Sequence, residues 1–81
     1  RLKIWPNPAT KQAMNFIGFD GKATIRIFTL NGELIKTMPD VNSGDGWDLL
    51  NNDSQPVASG VYLFVIDNAG NRRCGKLAVI R

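Results

Sequence analysis

Gly46 to Phe64 reads GWDLLNNDSQPVASGVYLF, two apolar stretches separated by a polar loop. Trp47 to Leu50 and Val61 to Asp67 read as strands, because short aliphatic and aromatic runs bounded by turn formers suit a pleated conformation. Asn51 to Ser59 is dense in Asn, Asp, Ser and Pro, residues that bond their own backbone or fix φ. A further apolar strand, KLAVIR, occupies Lys76 to Arg81. Together these stretches predict a small β-sandwich placed at the end of a longer protein and serving attachment or export.

The pattern continues toward the N-terminus. Leu2 to Trp5 reads as a short strand stopped by Pro6, Asn7 and Pro8, since proline withholds an amide and restricts the residue before it. Ala13 to Phe19 reads as a second strand, with Met14 and Phe16 on one face. Asp20-Gly21 and Asn31-Gly32 are both hairpin signals, because glycine accepts positive φ. Between them, Ala23, Ile25 and Ile27 alternate with Thr24, Arg26 and Phe28. Glu33 to Met38 completes that hairpin, and Pro39 to Gly46 reads as loop. Asn68 to Asn71 is a turn before the last strand, Arg72 to Ile80. No stretch carries helical apolar spacing free of breakers. About seven short strands with frequent turns predict an all-β fold, an antiparallel β-sandwich, with a small barrel as the alternative.

The 81 residues suffice for one domain, 1–81, and the 43% of apolar residues for a small core. Residue 1 is Arg and not Met, so the chain is expected to be a fragment of a larger protein. No basic start leads into an apolar stretch, so no signal peptide is read. The longest apolar run, Val61 to Ile66, is far shorter than the ~20 residues needed to span a bilayer.

Ten Lys and Arg against seven Asp and Glu give a net charge of +3. Arg1, Lys3, Lys11, Lys22, Arg26 and Lys36 are scattered. Only Arg72, Arg73, Lys76 and Arg81 gather near the end, with no acid after Asp67. A phosphate-binding surface needs clustered cations, so nucleic acid is not expected as a partner. Cys74 stands alone, excluding an internal disulfide, and the absence of His deprives it of the usual activating base.

Three local features admit a functional reading beside a structural one. Trp47 suits the core between sheets, with sugar stacking on Trp47 or Trp5 as the alternative. Asp48, Asn51, Asn52 and Asp53 offer oxygens that calcium could take, but such residues also make turns, and the spacing of a calcium-binding helical hand is missing. Val61 to Ile66 is apolar on both faces. With Tyr62, Phe64 and Ile66 in the core, Val61, Leu63 and Val65 point outward, either under loops or as a partner surface. Catalysis is poorly supported: there is no His, Glu33 is the sole Glu, and the Asp residues sit in or beside turns.

The ordered set of motifs resembles the C-terminal sorting domains of the bacterial type IX secretion system, and also the immunoglobulin-like domain of the flagellar hook-assembly protein. The set comprises Pro6-Asn7-Pro8, IRIFTLNGELI from Ile25 to Ile35 with its turn glycine Gly32, Trp47-Asp48, the loop closing on proline, Gly60-Val61-Tyr62, and the terminal Lys76 to Arg81. It spans essentially the whole chain. Leu49 and Leu50 after Trp47-Asp48 depart from the glycine and charged residue common in the hook-assembly version. The resemblance implies an immunoglobulin-like sandwich without cofactor that directs secretion and surface attachment of an upstream cargo domain. It implies export through the periplasm, recognition by a translocon, and removal by a sortase-like peptidase. Carried onto this chain, the recognition strand is Lys76, Leu77, Ala78, Val79 and Ile80. The rival readings are a structural spacer or docking domain and a carbohydrate-binding module.

Overall fold

The computed structural model describes residues 2–10 and 13–81; Arg1 and Lys11, two of the scattered cations, lie outside the described residues. Seven strands follow in order: β1 (Lys3–Trp5), β2 (Met14–Ile17), β3 (Lys22–Thr29), β4 (Leu34–Asn42), β5 (Gly46–Trp47), β6 (Gly60–Asn68) and β7 (Asn71–Val79). They form a three-stranded sheet, β1-β2-β5, and a four-stranded sheet, β4-β3-β6-β7, with every pair of strands antiparallel. This is the expected immunoglobulin-like sandwich.

Alternation builds the core. Ala23, Ile25 and Ile27 of β3, Tyr62, Phe64 and Ile66 of β6, and Leu77 and Val79 of β7 are buried. Met14 and Phe16 of β2 and Trp47 of β5 meet them from the other sheet, all three with no exposed surface. Each Val, Leu, Ile, Phe or Met side chain so buried contributes about 1.5–3 kcal/mol relative to exposure. Two edge-to-face aromatic pairs join the layers, Phe16 with Phe64 at 5.7 Å and Trp47 with Tyr62 at 6.1 Å.

The turns divide into two outcomes. Asn31-Gly32 closes the β3–β4 hairpin, Gly32 at φ 88° and its amide donating to the Thr29 carbonyl at 2.9 Å. Ala69 and Gly70, at φ 51° and 84°, close the β6–β7 hairpin as a two-residue turn of the type that matches strand twist. Asp20-Gly21 differs from expectation: β2 and β3 belong to different sheets, so this turn carries the chain across the sandwich instead of pairing its flanks. Glycine supplies the left-handed residue in either case, and the choice of partner strand is made by packing.

Two boundaries also move. β4 continues through Pro39 to Asn42, where a loop is predicted. Ala23 pairs with Val41 and Ile25 with Met38, so Pro39 and Asp40 form a bulge opposite Thr24. An edge strand tolerates this, because the missing proline amide faces away from the sheet. β5 is shorter than the predicted Trp47–Leu50. Leu49 takes φ 65°, outside the β region, and turns its side chain into the core at 3% exposure.

Candidate functional site

The sequence directs attention to the terminal strand, and β7 has two unlike halves. Leu77 and Val79 face the core at 1% exposure each. Around them the backbone is fastened. The Ala78 amide donates to Asn7 Oδ1 at 3.0 Å, the Ala9 amide donates to the Ala78 carbonyl at 2.9 Å, and the Ile80 amide donates to the Ala9 carbonyl at 2.8 Å. Ala9 thus makes a parallel bridge to Val79, itself fully buried. The Pro6-Asn7-Pro8 segment is therefore a latch on the outer side of β7, with both of its X-Pro peptide bonds cis. Arg81 finishes the fastening. Its amide donates to Ser59 Oγ at 2.8 Å, and its guanidinium donates to the carbonyls of Val57 and Leu49 at 2.6 and 3.0 Å.

The other half is open. In an antiparallel ladder successive residues turn their amide and carbonyl to opposite sides. Since Ala78 points away from β6, so do Lys76, Cys74 and Arg72. These three find no backbone partner among the described residues, because β7 ends its sheet. Their side chains and that of Arg73 are exposed. Gly75, between them, faces inward: a Cβ there would stand 2.9 Å from the Phe64 ring.

Of the predicted recognition residues, Lys76 and Ile80 are exposed, Ala78 is half-buried, and Leu77 and Val79 are core. The predicted partner surface lies on the outer face of the four-stranded sheet. Leu34, Phe28, Leu63 and Lys76 form one row across it; Arg26, Val65 and Cys74 form the next. Val61, beside Ala78, is 44% exposed, whereas Leu63 and Val65 are half-buried by their neighbours on the same face. A charged row follows. Asp67 lies between Arg26, at 3.2 Å, and Arg72, at 2.8 Å. The hydrogen bond from Arg72 holds the Asp67 carboxyl below its ordinary range despite partial burial, and Asp67 in turn raises the Arg72 guanidinium.

The framework residues have structural roles. Trp47 is fully buried and donates through Nε1 to the Leu50 carbonyl at 2.9 Å, so it presents no sugar platform; Trp5 is 52% exposed. Tyr62 hydroxyl donates to the Ala58 carbonyl, fixing the chain before Gly60. The oxygens considered for calcium accept backbone amides instead. Asp48 Oδ1 takes that of Leu50, and Asn51 Oδ1 takes those of Asp53 and Gln55. Asn52 caps the other outer edge of the same sheet. Its amide donates to the Ile35 carbonyl, and its Oδ1 accepts from Thr37. The sequence places Asn52 in a turn and Asn7 where the first strand stops; their edge-capping roles carry no local signal.

A cleft of about 300 Å³ opens at the end of the sandwich beside Asp20, Asn68, Asn71 and Arg73. Asp20 is its single carboxylate, which leaves no acidic pair for acid–base work. Among the described residues no helix could cross a membrane and no group of side chains is arranged to hold a metal.

A family model of the secretion system C-terminal sorting domain matches residues 3–80. Among solved structures, two from Porphyromonas gingivalis are similar. PorZ, an essential bacterial surface component of the type-IX secretion system, is 24% identical with a TM-score of 0.80, over 99% of this chain and 11% of PorZ. Dimeric latent PorU is 21% identical with a TM-score of 0.67, over 98% of this chain and 9% of PorU. The chain spans about a tenth of each, and at these identities the likeness establishes the fold. No curated protein matches. Of the two resemblances drawn from the sequence, the sorting domain gains support and the hook-assembly domain gains none.

Proposed function

The chain belongs to the secretion system C-terminal sorting domain family, and on that premise we propose that it is a non-catalytic address on a larger cargo protein. The observation that carries this reading is the family match over residues 3–80, which takes in β7 and its latch as well as the sandwich. In this reading the cargo domain precedes the module in the same chain and crosses the periplasm. The translocon recognises the folded sandwich, and a sortase-like peptidase releases the cargo to the cell surface or medium. Within Lys76 to Ile80, the exposed Lys76 and Ile80 carry recognition, and the buried Leu77 and Val79 hold the strand in place.

The test is a periplasmic reporter fused ahead of residues 1–81 in a bacterium with a working type IX system. The reporter is expected at the surface or in the medium, and one that stays periplasmic overturns the reading. Substitutions at Lys76 and Ile80 serve better than strand deletion, since both leave the core intact.

A second reading, a docking or spacer domain, draws on the apolar row Leu34, Phe28 and Leu63 with Val61 at its side, exposed at Leu34 and Val61. Under it, Leu63→Glu loosens contact with the neighbouring cargo domain, as read by cross-linking. Unchanged cross-linking removes it.

A further inference from the structure

We propose that the open half of β7 accepts an extended acidic segment of a partner protein as an added antiparallel strand. Three observations carry this. First, Arg72, Cys74 and Lys76 aim their backbone amides and carbonyls away from β6, and nothing among the described residues pairs with them. Second, other stretches of the same sheet's outer edges are capped. Asn52 covers Ile35 and Thr37 of β4, Pro39 of β4 has no amide to offer, and Asn7 with Ala9 covers Ala78 and Ile80. The uncovered stretch is thus bounded on its C-terminal side by a cap. Third, the side chains along it are basic. Arg72 is engaged with Asp67, while Arg73 and Lys76 have no carboxylate within ion-pair distance among the described residues.

The charges choose the occupant. Strand addition to an exposed edge draws affinity from main-chain hydrogen bonds and selectivity from alternate side chains. Two copies of this edge paired antiparallel about Cys74 would set Arg72 of each against Lys76 of the other, and like charges directly opposite are destabilising. A segment patterned Glu-Thr-Val-Thr-Glu fits instead. Its two acids meet Lys76 and Arg72, and its valine lies beside Cys74 and Val65, which are neighbours on the outer face.

The inference deepens the sorting reading by giving the chemistry of the partner, and rests on that reading for why such a partner exists. A binding assay with no export step keeps the two separable. A peptide with the Glu-Thr-Val-Thr-Glu core, and its Lys-Thr-Val-Thr-Lys counterpart, are titrated into the 81-residue chain while amide exchange is followed by NMR. The acidic peptide is expected to slow exchange at Arg72, Cys74 and Lys76 and to leave Ala78 and Ile80, already bonded, unchanged. Lys76→Glu should weaken that binding about three- to tenfold, from a cross-strand attraction turned to repulsion, and improve binding of the basic peptide. Cys74→Pro, which deletes an outward amide, should abolish it; retained amide dispersion shows that the variant still folds. No protection at these amides, equal binding of the two peptides, or indifference to Lys76→Glu would overturn the proposal, as would self-association through this edge.

Discussion

The two halves of β7 share one strand and one hydrogen-bonded neighbour, yet they belong to different physical regimes. Leu77 to Val79, with Ile80 and Arg81 just beyond the strand, is held from three sides, by the core, by Asn7 and Ala9, and by the Ser59 and Val57 loop. Arg72 to Lys76 is held by β6 and one surface ion pair. The difference separates a stretch that closes the fold from a stretch whose outer edge stays open. It also warns that removing the strand abolishes both at once.

The strongest test of that division is deletion of Leu77 to Arg81. It removes two core side chains and every partner of the latch. In a domain of this size, whose net stability is about 3–5 kcal/mol, it should unfold the chain outright. Loss of near-ultraviolet circular dichroism and of amide dispersion would register this. A deletion that stays folded would mean that the fastened half is decoration. Export assays on such a deletion read folding as much as recognition.

Gly75→Ala probes the seam between the halves. It places a methyl against the Phe64 ring, which Phe16 already fixes from the opposite sheet. Overpacking of this kind costs about 1–3 kcal/mol, measured by urea denaturation. A neutral result would show that β7 slides outward at its open half without strain.

Asn7→Ala removes the acceptor for the Ala78 amide and should cost about 0.5–1.5 kcal/mol by the same measurement. Amide exchange at Ala78 should quicken, while that at Lys76 stays unchanged. Quickened exchange at both would erase the boundary between the halves.

Asp67→Asn releases Arg72 of the open half and Arg26 of β3, leaves the fastened half untouched, and should have the smallest effect. The Asp67 carboxyl is lowered from 3.8 in the folded chain, chiefly by Arg72. Its contribution is therefore present above 3.8 and fades as pH falls toward the lowered value. The variant should melt slightly below the parent near neutrality, with the gap closing in acid and in high salt. A gap that persists in acid would point to packing rather than charge.

Much of this architecture was legible in the residues. Ala23, Ile25 and Ile27, and then Tyr62, Phe64 and Ile66, alternate plainly, and Asn31-Gly32 announces its hairpin. What stayed hidden was chosen by distant partners. Asp20-Gly21 has the chemistry of a hairpin, but β2 pairs with β1 and β5 and brings Met14 and Phe16 to the core from the opposite sheet. Pro39 signals a break, yet an edge strand absorbs it as a bulge. The terminal strand was singled out, though alternation alone would have split Lys76 and Ile80 from Leu77 and Val79. Asn7 reveals nothing locally, because its partner, Ala78, is 71 residues away.

That separation has a consequence for timing. As the ribosome delivers the chain, Asn7 and Ala9 emerge well before their partner strand, Ala78 lying 71 residues beyond Asn7. Until Ala78, Val79 and Ile80 appear, the Ala9 edge lacks its mate and the core lacks Leu77 and Val79. Long-range pairing of this sort is slow to form and arrives all at once. The domain therefore stays unfinished until β7 has been made, and then completes in a single cooperative step.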